Sequence, residues 1–348
     1  MRQPASQRSG VKNDHVGAAD RSAKLAVVVV NYNGGELLAD CIASLLAAVA
    51  ASAAEIAIVI VDNASSDGSA AAAARLGAVD VLPMSANLGF GSAANAGIEA
   101  TSSDWVALVN ADATVAPEAL AAFLECERSV PANVGVVAPQ IRFASDGTTL
   151  NSAGMEVDEL GVAYGRLVGH SAEEANEPAS VFAASGAGAF LRRSMLEEVG
   201  LFDERYFLYF EDVDLCWRAQ ALGWKVRYEP QIVIHHQHSA FTTQNSPLKF
   251  YHVGRNRIRT LAKNAPTPLL RRHALRMVTN DTLYVLYVAI AVRSLAPLRG
   301  RIDGLRDWRA FRAGAQPVEV PLAPAGSLGA ALKRRWVATR NSFDAGAQ

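Results

Sequence analysis

The sequence predicts an α/β fold, a mainly parallel sheet with helices on both sides. Three observations point there. Continuous β-branched runs recur, as expected of strands buried on both faces. Helical stretches separate these runs at the spacing of βα units. Polar residues gather where several of the runs end.

Leu25–Asn31 (LAVVVVN) is the first such run, followed by a helical stretch over 36–50. Ile56–Asp62 (IAIVIVD) is the second strand and leads into a polar loop over 63–69. The alanine run at 70–74 suits an exposed helix, and 79–83 reads as a short third strand. A helix is predicted over 91–100, then a fourth strand over 105–109 that ends in Asn110-Ala111-Asp112. Pro117 sits where a helix would start, and strand character resumes over 134–139. The pattern then loosens over 141–182 into short strands and turns, read as an irregular insertion at the sheet edge. Residues 185–192 are strand-like, 211–222 helical, and Lys225–His236 strand again. Beyond Pro247 the sequence becomes basic and helical.

The chain has 348 residues, half of them hydrophobic, enough for one large domain or two ordinary ones. Collagen-like, disordered and disulfide-scaffold classes fail on composition. The formal net charge of −1 hides an asymmetry. Residues 1–248 carry 15 basic and 29 acidic side chains, whereas 249–348 carry 18 basic and 5 acidic ones. Cys41, Cys126 and Cys216 are far apart and form no C-x-x-C pair, which argues against disulfides and a cysteine zinc site. Residues 1–23 read as a disordered polar tail without the apolar core of a secretory signal, so a cytoplasmic location is expected.

In a parallel α/β sheet, ligands bind beyond the carboxyl ends of the strands. Asn31, Tyr32 and Asn33 follow the first strand there, Asp62 and Asn63 the second, and Asn110 and Asp112 the fourth. Any one of these alone would be a strand-end cap or Asx turn. Three clusters at one edge predict a polar ligand site. The glycine-rich stretch 89–97 has the spacing G-x-G-x5-G and does not follow the first strand, so a dinucleotide fingerprint is not met, and there is no Walker A pattern. The string 202–218 is dense in carboxylates and aromatic rings. Glu211, Asp212 and Asp214 open a helix, where one carboxylate would suffice for capping. A carboxylate beside aromatic rings suits general base work, because desolvation makes it more basic. His235-His236-Gln237-His238 ends the last strand, and the alternation Ile232, Ile234 puts His236 on their face. A His and a distant Asp can hold a divalent cation when ligand phosphates and water complete the shell, with Asp112 the expected partner.

As an ordered set, these strings resemble inverting glycosyltransferases of family 2, and within them the rhamnosyltransferase-like branch. The matching strings are Val28-Val29-Val30-Asn31-Tyr32-Asn33, Val61-Asp62-Asn63-Ala64-Ser65-Ser66-Asp67-Gly68-Ser69, Asn87-Leu88-Gly89-Phe90-Gly91 with Asn95 and Gly97, and Leu108-Val109-Asn110-Ala111-Asp112. Gly186-Ala187-Gly188, the 202–218 string and the His cluster complete it. The resemblance implies a GT-A fold and a nucleotide-diphosphate sugar donor bound with Mg2+ or Mn2+. It makes Asp62 a contact of the nucleobase, with the backbone at Asn31 and Tyr32 lining its pocket. Asn33, Asn63, Asn87, Gly89, Phe90, Asn110 and Ala111 fall in the donor-binding strings. Asp112 is implied as the metal-binding acid, His236 (or His235) as its partner, and Asp212 as the base, with Glu211 beside it. One departure stands out: the first acid of the D-x-D motif is Asn110 here, a neutral and weaker ligand, as is frequent in the rhamnosyltransferase-like branch.

The expected organisation is a polar tail over 1–23, a catalytic GT-A domain over 24–245 and a basic, mostly helical region over 246–348. Residues 283–292 are ten apolar residues bounded by Asp281 and Arg293, too few to span a bilayer. A partly buried or interfacial helix flanked by arginines fits a membrane surface, against the alternative of a core helix. No nucleic-acid-binding motif is present. The expected protein is therefore a peripheral enzyme on the cytoplasmic face of the membrane, acting in cell-envelope polysaccharide assembly. It would pass rhamnose from dTDP-rhamnose to a glycan or isoprenoid-diphosphate-linked acceptor. A UDP-sugar donor on the same fold, and a catalytically silent binding module, are the alternatives.

Overall fold

Strand β1 (Leu25–Asn31) lies in the middle of the sheet because both of its faces are apolar. In this computed structural model, which describes residues 23–237, 246–327 and 329–332, Val28 packs into one core and Val27 and Val29 into the other. The tail expected over 1–23 falls, but for Ala23, outside the described residues, as does His238. On one side β1 pairs in parallel with β2 (Ile56–Asp62), which pairs with β3 (Asp80–Pro83); on the other it pairs with β4 (Trp105–Asn110). Strand order thus reverses at β1 and β4, and the crevice beyond their carboxyl ends is where such a sheet receives ligands.

Helix α1 (Gly35–Ser52) buries Leu38, Cys41, Ile42 and Leu45 on one face of the sheet. By length and composition it could cross a membrane, but that apolar stripe belongs to the core. The alanine run forms α2 (Ser69–Ala73), which differs from the exposed helix expected: Ala70 and Ala73 are buried against the same core. Helix α3 (Phe90–Glu99) lies on the opposite face. Its Gly97 is there for contact: a Cβ would meet Val28 Cγ1 at 2.4 Å and Val61 Cγ2 at 2.9 Å.

After β4 comes β5 (Ala113–Val115), an element the sequence reading did not include. Helix α4 (Ala119–Ser129) and β6 (Val134–Phe143) follow. The irregular insertion holds β7 (Leu150–Ser152) on β6, a hairpin of β8 (Met155–Val157) and β9 (Ala163–Gly165), and β10 (Ala179–Val181) at the sheet edge. Then β11 (Gly188–Arg192) inserts antiparallel between β4 and β6, followed by α5 (Arg193–Val199) and α6 (Glu211–Ala221). Strand β12 (Lys225–His236) pairs in parallel with β6, and its end pairs antiparallel with β5, His236 opposite Ala113. That last register brings Asp112 beside His236.

The basic region forms α7 (Pro247–Asn264), α8 (Thr267–Ala291), α9 (Ala296–Arg306) and α10 (Trp308–Arg312). Of the ten apolar residues recognised in the sequence, nine are the last nine residues of the 25-residue α8 and Val292 is its C-cap. Helix α7 grips the segment that precedes α6. Asn256 Nδ2 lies within hydrogen-bond distance of the carbonyls of Tyr206 (2.9 Å), Leu208 (2.8 Å) and Tyr209 (2.7 Å). Arg255 donates to the Tyr206 carbonyl as well, at 2.9 Å.

Two substitutions test this packing. Gly97→Ala is expected to lower unfolding free energy by about 1–3 kcal/mol, the usual cost of an extra methyl in a filled core, measured by urea denaturation. Asn256→Ala removes the donor to the part-buried Leu208 and Tyr209 carbonyls and is expected to cost about 1–3 kcal/mol in the same measurement.

Candidate active site

A cavity of about 720 Å³ opens beyond the carboxyl ends of β1 and β4, a size suited to a small-molecule ligand. Asp112 and His236 stand in its wall, both nearly buried. Asp112 Oδ1 and His236 Nε2 are 3.2 Å apart. Two ligands at right angles around an ion with bonds of about 2.1 Å would lie about 3.0 Å apart. The carboxylate and the imidazole are therefore spaced as neighbours in one coordination shell. His236 Nδ1 is 3.4 Å from Asn151 Oδ1, and a proton on Nδ1 would leave Nε2 as the lone-pair donor. Among the described residues no group of three or more His, Cys, Asp or Glu comes together that could hold a metal ion. The donor set therefore fits a divalent cation that arrives with a phosphate ligand, the remaining positions going to phosphate oxygens and water. His235 points to the other side of β12, near Gly147, and does not line the cavity.

Asp212 and Glu211 line the same cavity from the first turn of α6. Asp212 accepts from the backbone N–H of Gly186 (2.9 Å) and of Val213 (2.7 Å). Burial pushes its carboxyl above the usual range, and these two N–H groups oppose the shift. Glu211 is pushed up further, by burial and by the adjacent Asp212 charge. Its buried Oε2 has no hydrogen-bond partner among the described residues. Asp214, the third acid in the first turn of α6, does not line the cavity. It is fully buried and bonds to Arg218 Nε (2.9 Å), Lys263 Nζ (2.9 Å) and Asn264 Nδ2 (2.8 Å). Burial alone would raise its pKa, but Arg218 and Lys263 outweigh burial and hold it below the carboxylate range.

The backbone before α6 is bent in a way its residues disfavour. Phe207, Tyr209 and Phe210 have φ of 66°, 66° and 72°, a region that bulky side chains rarely enter. Leu208 N donates to the Tyr206 carbonyl at 2.9 Å, closing a strained γ-turn on Phe207. The Asn87–Phe90 loop meets this bend directly: Phe90 N donates to the Phe207 carbonyl at 2.7 Å. Gly89, at φ 88°, is required there, since a Cβ would lie 2.3 Å from that carbonyl oxygen.

Asn63 joins the loop after β2 to the loop before α3, its Nδ2 donating to Asn87 Oδ1 (3.0 Å) and its Oδ1 accepting from Leu88 N (3.0 Å). Asn63, Asn87, Gly89, Phe90, Asn110 and Ala111 all line the cavity, as does the half-exposed Tyr32. Asn31, Asn33 and Asp62 do not line it. Asn31 is fully buried and donates to Asp62 Oδ1 (3.1 Å), Ser65 Oγ (3.1 Å) and Ser69 Oγ (3.0 Å). Asn33 Oδ1 accepts from Ser66 N at 2.8 Å. Both asparagines shape the 63–69 loop around Asp62.

Among the cavity residues that the sequence reading did not assign to the site are Asn151, Lys249, Arg257 and Arg301. Asn151 lies in the irregular insertion, where no periodicity identifies an inward side chain. Arg257 did carry a signal. It falls with Phe250, Val253 and Leu261 on the apolar stripe of α7, where an arginine on the buried face is out of pattern.

Residues 26–200 match the family model described as Glycosyl transferase family 2. N-acetylglucosaminyl-diphospho-decaprenol L-rhamnosyltransferase from Mycobacterium tuberculosis is 35% identical over 248 residues, which span 64% of this chain and 78% of that protein. Among solved structures, GalNAc-T7 with UDP, GalNAc and Mn2+ superimposes with a TM-score of 0.55 at 18% identity, over 84% of this chain and 55% of that one. The mannosyltransferase PcManGT from Pyrobaculum calidifontis, in complex with GDP-Man and Mn2+, gives 0.50 at 18% identity, over 95% and 88%. Those two likenesses speak to the fold. The chain belongs to glycosyltransferase family 2, in its rhamnosyltransferase-like branch, and has the GT-A fold.

Proposed function

We propose that the protein is an inverting rhamnosyltransferase that uses dTDP-rhamnose and an acceptor glycan carried on an isoprenoid diphosphate. The observation that carries this reading is the meeting of Asp212 with the Asp112–His236 pair on the walls of one cavity. The 35% identity to a mycobacterial protein named for rhamnosyl transfer onto an N-acetylglucosaminyl-diphospho-decaprenol supports the donor and acceptor class. In this reading residues 24–245 carry the donor chemistry, and 246–348 the acceptor and membrane side.

Tyr32, in the cavity wall beyond β1, would receive the nucleobase, which would extend past that wall to Asp62 at the end of β2. Asp112 and His236 would hold Mg2+ or Mn2+ together with the diphosphate. A divalent ion there would neutralise the charge that grows on the departing nucleoside diphosphate. Asn110, a neutral amide in place of an acid, would leave more of the ion's coordination to the phosphate oxygens. Asp212 takes the proton from the acceptor hydroxyl as that oxygen attacks C1 from the face opposite the nucleotide. The bond from C1 to the phosphate oxygen breaks as the new glycosidic bond forms, so a single displacement inverts the anomeric centre. Burial and the Asp212 charge push the Glu211 carboxyl up, which disfavours a second negative charge beside the base.

Membrane association at the cytoplasmic face rests on α8. Only His273, Met277, Asn280 and Val288 of this helix are buried, while Leu275 and Ile290 are 79% and 78% exposed. Arg271, Arg272, Arg276 and Arg293 lie beside that surface in sequence, the pairing of apolar and cationic groups that favours anionic lipid.

The deciding experiment is release of nucleotide by the purified protein with Mg2+ or Mn2+ across dTDP-rhamnose and common UDP- and GDP-sugars. Metal-dependent release from dTDP-rhamnose is expected, and preference for a UDP-sugar would discard rhamnose. Asp212→Asn should lower transfer by about 10²- to 10⁴-fold while calorimetry still finds dTDP binding; surviving transfer would remove Asp212 as the base. Because Asp212 acts as its anion and burial raises its pKa, kcat/KM should rise with pH through a limb above the ordinary carboxylate value of about 3.9. A Leu275→Ser, Ile290→Ser double variant should bind phosphatidylglycerol liposomes about tenfold or more weakly. Unchanged binding would remove the membrane from this reading.

A further inference from the structure

The cavity has a second wall of different chemistry. Where Asp112, His236 and the α6 carboxylates form one side, α7, α8 and α9 contribute Lys249, Arg257, Tyr284 and Arg301. Arg257 and Arg301 are only 2% and 8% exposed. They share one carboxylate: Asp281 accepts from Arg257 Nη1 at 2.6 Å and from Arg301 Nη2 at 2.9 Å. Arg257 also donates to the Leu160 carbonyl, and Arg301 to the Pro297 carbonyl at 3.0 Å. After these bonds the Nε of each guanidinium is buried without a hydrogen-bond partner among the described residues. Lys249 is half-buried, and among the described residues its Nζ has no hydrogen-bond or ionic partner. Burial without an anion holds its ammonium below the usual range.

Three cations against one carboxylate leave this wall with two uncompensated positive charges, a costly arrangement unless an anion completes it. Apolar side chains, among them Val162, Val168, Leu248 and Val253, line the same cavity. Beside Tyr284 on α8, Leu283 begins the exposed apolar surface that continues to Leu286 and Ile290.

We propose that Lys249, Arg257 and Arg301 form an anion subsite for the diphosphate of a prenyl-diphosphate-linked acceptor, whose hydrocarbon chain leaves over α8. This rests on the acceptor class proposed above and adds where that acceptor is held. The diphosphate gives multiple oxygens to a wall rich in N–H donors, which a neutral glycan would not. The donor's diphosphate is the other source of the same chemistry, and it is assigned to the Asp112–His236 wall.

The test measures binding of farnesyl diphosphate, farnesyl monophosphate, farnesol and Mn2+–dTDP to the full-length protein by calorimetry. Farnesyl diphosphate is expected to bind at least about tenfold more tightly than farnesol, and Lys249→Gln and Arg301→Gln each to weaken it by about tenfold or more. The Kd for dTDP should change less than about twofold, since those cations contact the acceptor alone. Equal binding of farnesyl diphosphate and farnesol, or unchanged binding in both variants, would overturn the subsite. Weakened dTDP binding in both variants would overturn it too, by reassigning the cations to the donor. Lys249→Gln removes no side-chain bond among the described residues, so it carries the test if Arg301→Gln does not fold. Diphosphate binding that needs Lys249, with no transfer from any nucleotide sugar, would sink the proposed activity and leave the subsite standing. Transfer with an unchanged acceptor KM in Lys249→Gln would sink the subsite alone.

Discussion

The chain from Phe207 to Asp212 runs through backbone conformations that its aromatic residues disfavour, and the site depends on holding it there. Three aromatic residues at positive φ cost of the order of 1–3 kcal/mol each. The surrounding structure offsets that cost with directed bonds. Asn256 and Arg255 of α7 take the carbonyls from one side, and the Gly89–Phe90 backbone takes the Phe207 carbonyl from the other. Below them, Asp214 anchors the start of α6 through Lys263 and Arg218. The result sets Asp212 against the Gly186 N–H with its carboxylate facing the cavity. Helix α7 therefore does more than cover the sheet; it fixes the segment on which the candidate base stands.

Burial gives the acids of one short string separate properties. Asp214 sits among cations that hold its carboxyl below the usual range, whereas Glu211 faces no cation and is pushed well above it by burial and the neighbouring Asp212. Asp212 lies between these cases, raised by burial and restrained by two backbone N–H groups. The same separation extends across the cavity, acidic toward the strand ends and basic toward α7 and α9. A ligand with a cation-bound diphosphate at one end and a second anionic partner at the other matches that polarity.

The strands, their order along the chain and the polar edge were legible because each rests on local pattern. LAVVVVN and IAIVIVD must be buried on both faces, and the polar residues next in the chain must then lie at the end of a parallel sheet. His236 was legible for a similar reason, since alternation along Lys225–His236 puts it on the face of Ile232 and Ile234. The exposure of 70–74 was misjudged because alanine runs carry no apolar stripe; only the packing of α2 on α1 decides which methyls are covered.

What the sequence by itself determined is the doubly covered parallel sheet, the acids and amides at its carboxyl edge, and the division into an acidic body and a basic end. All three arise from side-chain period and charge, which are properties of neighbouring residues. Tertiary structure alone decided the pairing of β5 with β12 by which Asp112, the partner expected for His236, reaches it. It also decided that Asn31 and Asn33 build a loop rather than line the cavity, and that Arg257 and Arg301 turn inward. Each of these depends on contacts between residues far apart in the chain, and no local pattern encodes which distant partner a hydrogen-bonding group will meet.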